Sequence, residues 1–207
     1  KVKGVDSILV TYPSSLKTAD ILLGALPLQD WKAYLRWNVL RNAAPYLSSA
    51  FVTEDFRLSQ VLTGQKEQTP RWQRMSSLLD QRLGDLLGQL YVQRYFKGEA
   101  KTRMLEMVNN LQQTFADRIK KLDWMSAATK QRALQKLNAF SKKIAYPDVW
   151  KDYQGVTITP NDFVGNLRST SVWSYNYMTN RLGKPVDKTE WGMTPPTINA
   201  YYNPVNN

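Results

Sequence analysis

Between residues 75 and 95 the apolar side chains recur every third or fourth position: Met75, Leu78, Leu79, Leu83, Leu86, Leu87, Leu90, Tyr91 and Tyr95. That period, kept without a miss, puts them on one stripe of an α-helix. Gly84 and Gly88 lie four apart inside it. Each costs about 1 kcal/mol relative to alanine in a helix interior, so the pair predicts another backbone passing close to that face. A second amphipathic helix is predicted from about Gly98 to Leu122, carrying Met104, Met107, Val108, Leu111, Phe115 and Ile119. Ser126 is placed to cap a third, with Ala133, Leu134, Leu137, Phe140 and Ile144 inward and Pro147 as its stop. Upstream, residues 28–62 read as two helices interrupted at Pro45 and stopped at Gly64. Thr69-Pro70 and Thr159-Pro160 each read as a cap followed by proline at the first helical position. The helix after Pro160 runs to about Leu182 with Phe163, Val164, Leu167, Val172, Trp173, Tyr177 and Met178, and Gly183 and Pro185 end it.

The pattern changes at the end of the chain. Pro195-Pro196 leads into a run of β-formers, Thr197 to Tyr202, followed by the turn signal Asn203-Pro204. Period and composition here predict an isolated β-strand or hairpin. The fold class expected is therefore mainly α, ending in one orphan strand, with no internal repeat.

Composition narrows what such a chain does. At 43% hydrophobic and 12% aromatic residues, the 207-residue chain has the means to build a core. The longest nearly apolar run, Ile21 to Leu28, is broken by Gly24 and Pro27 and falls short of the about 20 residues a membrane span needs. No signal peptide is legible in KVKGVDSILV. The formal net charge is +11, yet Lys and Arg are interleaved with acids and make no continuous basic stripe. The charge reads as a solvated exterior rather than a nucleic-acid footprint.

The chain contains neither His nor Cys. Disulfides, thiolate metal sites, a Ser-His-Asp triad and a His-ligated zinc are all excluded within it. Acid pairs such as Glu54 with Asp55 and Asp187 with Glu190 read as solvated, and no phosphate-binding loop or nucleophile elbow is present. No catalytic residue and no metal ligand is assigned.

Five stretches in order carry a resemblance: LGQLYVQRYF (87–96), WMSAATKQRALQKL (124–137), IAYPDVWKDY (144–153), LGKPVDKTEWGM (182–193) and INAYYNP (198–204). With WKAYLRW (31–37) and APYLSSAF (44–51), they resemble the neprilysin and endothelin-converting-enzyme type of zinc metallopeptidase, in its bacterial oligoendopeptidase branch. The resemblance runs from about Leu28 to the last residue.

It implies a large, mostly helical, two-domain enzyme that cleaves oligopeptides in an internal cavity with a zinc-bound water. Zinc ligands and general base would come from HExxH and ExxxD helices downstream of the NAYYNP motif. The chain would then be an amino-terminal or middle portion: residues 1–160 a helical lid-type domain, residues 161–207 the start of the catalytic domain, upstream of the zinc site. By itself it would bind no zinc and be inactive. Its partners would be the oligopeptide substrate and the remainder of the same enzyme, or a second copy through exposed apolar surface. A secreted, periplasmic or cell-envelope location is implied. At the matching positions the resemblance assigns Asn199 (side-chain amide) and Ala200 (backbone) to holding substrate on an edge strand. The family's amino-terminal arginine segment has no counterpart in KVKGVDSILV. The alternative is a freestanding helical binding module for an acidic protein partner.

Overall fold

The computed structural model describes residues 8–203. The chain divides into two compact units, Lys1–Gln73 and Arg74–Asn207.

In the first unit, α1 (Pro13–Ala25) starts with proline at its first position, where a missing N–H costs nothing. Its apolar residues were legible only as a short run, not as a helix. Pro27 opens α2 (Leu28–Ala43), and a 3₁₀ turn at Ala44–Tyr46 absorbs Pro45. Next comes α3 (Ser49–Thr63), which ends as expected at Gly64 in the left-handed conformation (φ 73°), its N–H donating to the Gln60 carbonyl at 3.0 Å.

The second unit is organised around α4 (Arg71–Tyr95), whose Leu78, Gly84 and Gly88 are buried. Leu83 leaves helical geometry (φ −134°, ψ 36°), kinking α4 just before Gly84. Two further helices, α5 (Gly98–Lys121) and α6 (Ala127–Ala139), pack together. Gln112 of α5 donates to the Leu137 carbonyl at 2.7 Å, and Lys130 of α6 to the Lys120 carbonyl at the end of α5 at 3.0 Å. Ser126 caps α6 as expected, accepting from the Thr129 N–H at 3.2 Å.

The expected continuation of α6 to Pro147 does not form. The chain turns extended at Phe140 because the residues after it are engaged elsewhere. The Phe140 ring meets Tyr202 edge-on at 5.7 Å, and Lys142 donates to Asn109 at 2.6 Å and Gln112 at 2.7 Å.

Residues 144–153 then run along α4. Tyr146 meets Phe96 edge-on at 5.3 Å, and Lys101 lies 4.2 Å from the Tyr146 ring centroid. Asp85 of α4 binds this segment twice: its carboxylate accepts from the Lys151 N–H at 2.9 Å, and its own N–H donates to the Tyr153 hydroxyl at 3.3 Å.

The last helix, α7 (Phe163–Thr179), starts three residues after Pro160. Its cap is Asp162, which accepts from the Gly165 N–H at 2.9 Å. Thr159 instead forms a two-bond clasp with Asn166, its N–H donating at 2.8 Å and its carbonyl accepting at 2.9 Å. Arg82 of α4 donates to Ser171 of α7 at 2.7 Å, and Tyr153, Trp173 and Tyr177 stack in series with centroids 4.4 and 5.1 Å apart. Gly183 comes next with φ 74°.

The terminal strand is not seen: no residue among those described is in a strand. Thr197 N–H donates back to the Thr194 carbonyl at 3.0 Å, and Asn199 N–H to the Thr197 carbonyl at 3.1 Å. A strand's donors and acceptors are satisfied across a ladder. Here tight turns and side chains take them instead. Pro204, the second half of the expected turn signal, lies outside the described residues.

Candidate functional site

The segment carrying Asn199 is seated on α4. A Cβ built on Gly84 would lie 2.4 Å from Thr194 Cγ2, and one on Gly88 2.7 Å from Pro195 Cδ and 3.2 Å from Trp150. The glycine pair predicted another backbone passing close; the approach is there, but it is made by the side chains of residues 194–195 and Trp150. Beyond the seat, the hydroxyls of Thr194 and Thr197 share a hydrogen bond at 3.0 Å. The segment closes on itself where Gly192 N–H donates to the Tyr201 hydroxyl at 3.0 Å.

Asn199 and Ala200, the two candidate substrate contacts, sit on this closed loop and are exposed. They line a cavity of about 880 Å³ with the chain around Lys142–Ala145, the 190–203 segment, Phe96 and Met104. That volume falls in the range of ligand-binding clefts. Asn199 Oδ1 accepts from the Ala200 N–H at 2.7 Å, and among the described residues Asn199 Nδ2 has no partner. Both N–H donors of Nδ2 are therefore free to meet an incoming carbonyl, while the Ala200 N–H is held by its neighbour until the Asn199 side chain turns away.

The charged groups of the wall are largely tied down. Lys142 is held by Asn109 and Gln112, and Lys143 donates to the Glu190 carbonyl. Glu190 was read as half of a solvated acid pair with Asp187, but the structure engages the two separately. Its carboxylate pairs with Arg181, whose Nη1 donates at 2.8 Å, and accepts from the Tyr177 hydroxyl at 3.3 Å. Burial, and after it the nearby Glu190 charge, pushes the Tyr177 hydroxyl pKa up. Asp187 accepts from the Thr189 hydroxyl and N–H, which hold its pKa below the usual carboxylate range.

Zinc binds to clustered thiolates, imidazoles and carboxylates. The chain has no His and no Cys, and among the described residues no three acidic side chains gather into a metal-holding group. This chain's residues do not fit the zinc that the resemblance implies. The part of the site missed from sequence is the seat: Gly84 and Gly88 signalled a close approach, but nothing in the pattern named Thr194 and Pro195 as the residues that approach, or Tyr201 as the loop's clasp.

The chain has known relatives. The amino-terminal profile of Peptidase family M13 matches residues 1–147. The chain belongs to this family of neprilysin-type zinc metallopeptidases. It is 33% identical over 222 residues to an endothelin-converting enzyme homolog of Locusta migratoria, covering all of this chain and 30% of that protein. It is 33% identical over 184 residues to neprilysin-11 of Caenorhabditis elegans, covering 84% of this chain and 22% of that one. Its structure resembles the zinc metalloprotease Zmp1 of Mycobacterium tuberculosis. The inhibitor-complex crystal structure superposes with a TM-score of 0.82 at 42% identity, over 90% of this chain and 28% of that one. The open-state cryo-EM structure superposes with 0.82 over 95% and 31%. The higher identity to a bacterial protein fits the bacterial branch. The chain thus spans about a third or less of the length of the relatives it matches.

Proposed function

We propose that this chain is the helical lid and the first part of the catalytic domain of a zinc-dependent endopeptidase acting on oligopeptides. Residues 1–160 form the lid and residues 161–207 begin the catalytic domain. The family resemblance assigns zinc to HExxH and ExxxD helices of the complete enzyme, where it would supply the activated water. The residues of this chain bind and orient the peptide. Asn199 Nδ2 donates to a substrate carbonyl. Rotation of the Asn199 side chain then releases the Ala200 N–H for a second substrate carbonyl. An extended peptide laid along this segment replaces the local turn bonds with intermolecular ones.

Family membership and the exposed position of Asn199 on the wall of the large cavity support this reading. Membership also favours an enzyme over a freestanding module, and a secreted or cell-envelope setting accords with it. No helix among the described residues is long and apolar enough to cross a membrane.

The observation that carries the proposal is the partnerless amide nitrogen of Asn199 at the cavity wall. Asn199→Ala in the zinc-loaded enzyme removes one or two hydrogen bonds to substrate, each worth about 0.5–1.5 kcal/mol. The expected result is a loss of about ten- to a hundredfold in kcat/KM, with zinc content and melting temperature unchanged. Cleavage at the parent rate removes the substrate role. The isolated chain is expected to hydrolyse no peptide and to retain no zinc after dialysis against a chelator, as elemental analysis would show.

A further inference from the structure

Gly84 and Gly88 are buried on α4, each against a side chain of the segment that carries Asn199. At Gly84 the approach leaves no room for a Cβ: the Thr194 methyl would lie 2.4 Å from it, well inside any real contact. The next nearest atoms, Thr194 Cβ and Asp80 Oδ1, would both be at 3.6 Å, an ordinary van der Waals distance. At Gly84 a single methyl group therefore fills the space that a Cβ would need.

From Thr194 to Asn199 the connection is short and hydrogen-bonded at each step. The Thr194 hydroxyl binds that of Thr197 at 3.0 Å, the Thr194 carbonyl accepts from Thr197 N–H at 3.0 Å, and the Thr197 carbonyl accepts from Asn199 N–H at 3.1 Å. With Gly192 N–H bound to the Tyr201 hydroxyl at 3.0 Å, the loop has little freedom to absorb a shift at its seat.

We infer that Gly84 and Thr194 are positioning residues: the notch at Gly84, filled by the Thr194 methyl, sets where the Asn199 side chain stands against a bound peptide. This rests on the peptide-binding reading above. Neither residue touches substrate; both act through Asn199. The notch also accounts for a residue that helix propensity disfavours at this position.

The test is a steric complementation in the zinc-loaded enzyme. Gly84→Ala adds the Cβ and lifts the segment. Misplacing a substrate contact by about 1 Å costs up to about a hundredfold in rate, so kcat/KM is expected to fall about ten- to a hundredfold. Thr194→Ser deletes the opposing methyl and keeps the hydroxyl. Combined with Gly84→Ala, it is expected to restore kcat/KM to within about twofold of the Thr194→Ser enzyme, the tolerance of independent sites. If the seat acts through Asn199, Gly84→Ala adds nothing to Asn199→Ala, and the double variant equals Asn199→Ala alone. A purely structural loss would instead add to it.

Gly84→Ala at the parent kcat/KM overturns the inference. So does a loss that Thr194→Ser fails to relieve, or one that adds in full to Asn199→Ala. Should Gly84→Ala fail to fold, recovery of both fold and activity by Thr194→Ser still supports the seat, and no recovery overturns it. Asn199→Ala at the parent rate removes the substrate role itself and this inference with it. Parent-like Gly84→Ala beside an impaired Asn199→Ala removes the inference alone.

Discussion

The two compact units are both helical, yet they hold their helices differently. Among the described residues of the first unit, none is fully buried, and large apolar side chains such as Leu9, Val39, Val61 and Leu62 stand in the open. In the second unit five residues are buried: Leu78, Gly84 and Gly88 on α4, Pro147 in the segment running along α4, and Thr170 on α7. The first unit is held by neighbours close in sequence: the Pro45 turn, the Gly64 cap, the Trp31–Tyr34 edge contact at 5.9 Å. The second is held by contacts that reach far along the chain, such as Asp85 to Lys151, Arg82 to Ser171 and Gly84 to Thr194. Local contacts make helices; only distant ones make a site whose parts come from residues 84, 142 and 199.

The sharpest way to break this contrast is to truncate one leucine in each unit. Leu78 is 7% exposed and Leu62 71%. Leu78→Ala is expected to lower stability by about 2–3 kcal/mol, and Leu62→Ala by no more than about 0.5 kcal/mol, read from urea unfolding midpoints. Equal losses would mean that burial does not separate the units.

A smaller difference is expected at the helix caps. Ser126 and Asp162 each accept a hydrogen bond from the first turn of their helix. Ser48, at the head of α3, makes no such bond. Replacement by alanine should cost about 1 kcal/mol at Ser126 or Asp162 and clearly less at Ser48. Thermal melts of the three variants, compared under one buffer, check the order.

The smallest effect lies in the alkaline range and belongs to the second unit. Burial raises the Tyr153 hydroxyl pKa above its ordinary value of 10.0, and the Asp85 and Asp80 charges add to it. A group whose folded pKa is raised contributes stability that is present in full below its unfolded pKa. That contribution is lost as pH rises through the folded value. The melting temperature should therefore fall as pH climbs above about 10, and Tyr153→Phe should flatten part of that fall. An unchanged slope in the variant would show that other groups carry the transition.

Seven α-helices form among the described residues, and the sequence pattern located six of them, five to within a few residues at both ends, because helical period, proline and glycine are local signals. Ser126 and Gly64 act as their positions foretold. The errors share one cause. The predicted helix from Ser126 to Pro147 stops at Ala139 because Phe140 and Lys142 are taken by Tyr202, Asn109 and Gln112. The start at Pro160 moves to Phe163 because Asp162 offers the better cap while Thr159 pairs with Asn166. The strand at Thr197–Tyr202 gives way to turns because residues that favour strands still require a ladder partner.

The sequence by itself determined the helical class, the absence of thiolate and imidazole chemistry, and, through five ordered motifs, membership of a metallopeptidase family. These depend on residue identity and local spacing alone. Only the tertiary structure decided that α4 bends at Leu83, that Thr194 and Pro195 fill the notches at Gly84 and Gly88, and that Asn199 holds the Ala200 N–H at the wall of a cavity. The seat and the cavity bring together atoms up to about a hundred residues apart, and the choice among rival partners for a backbone N–H or a buried methyl is made by the whole packing rather than by any stretch of chain.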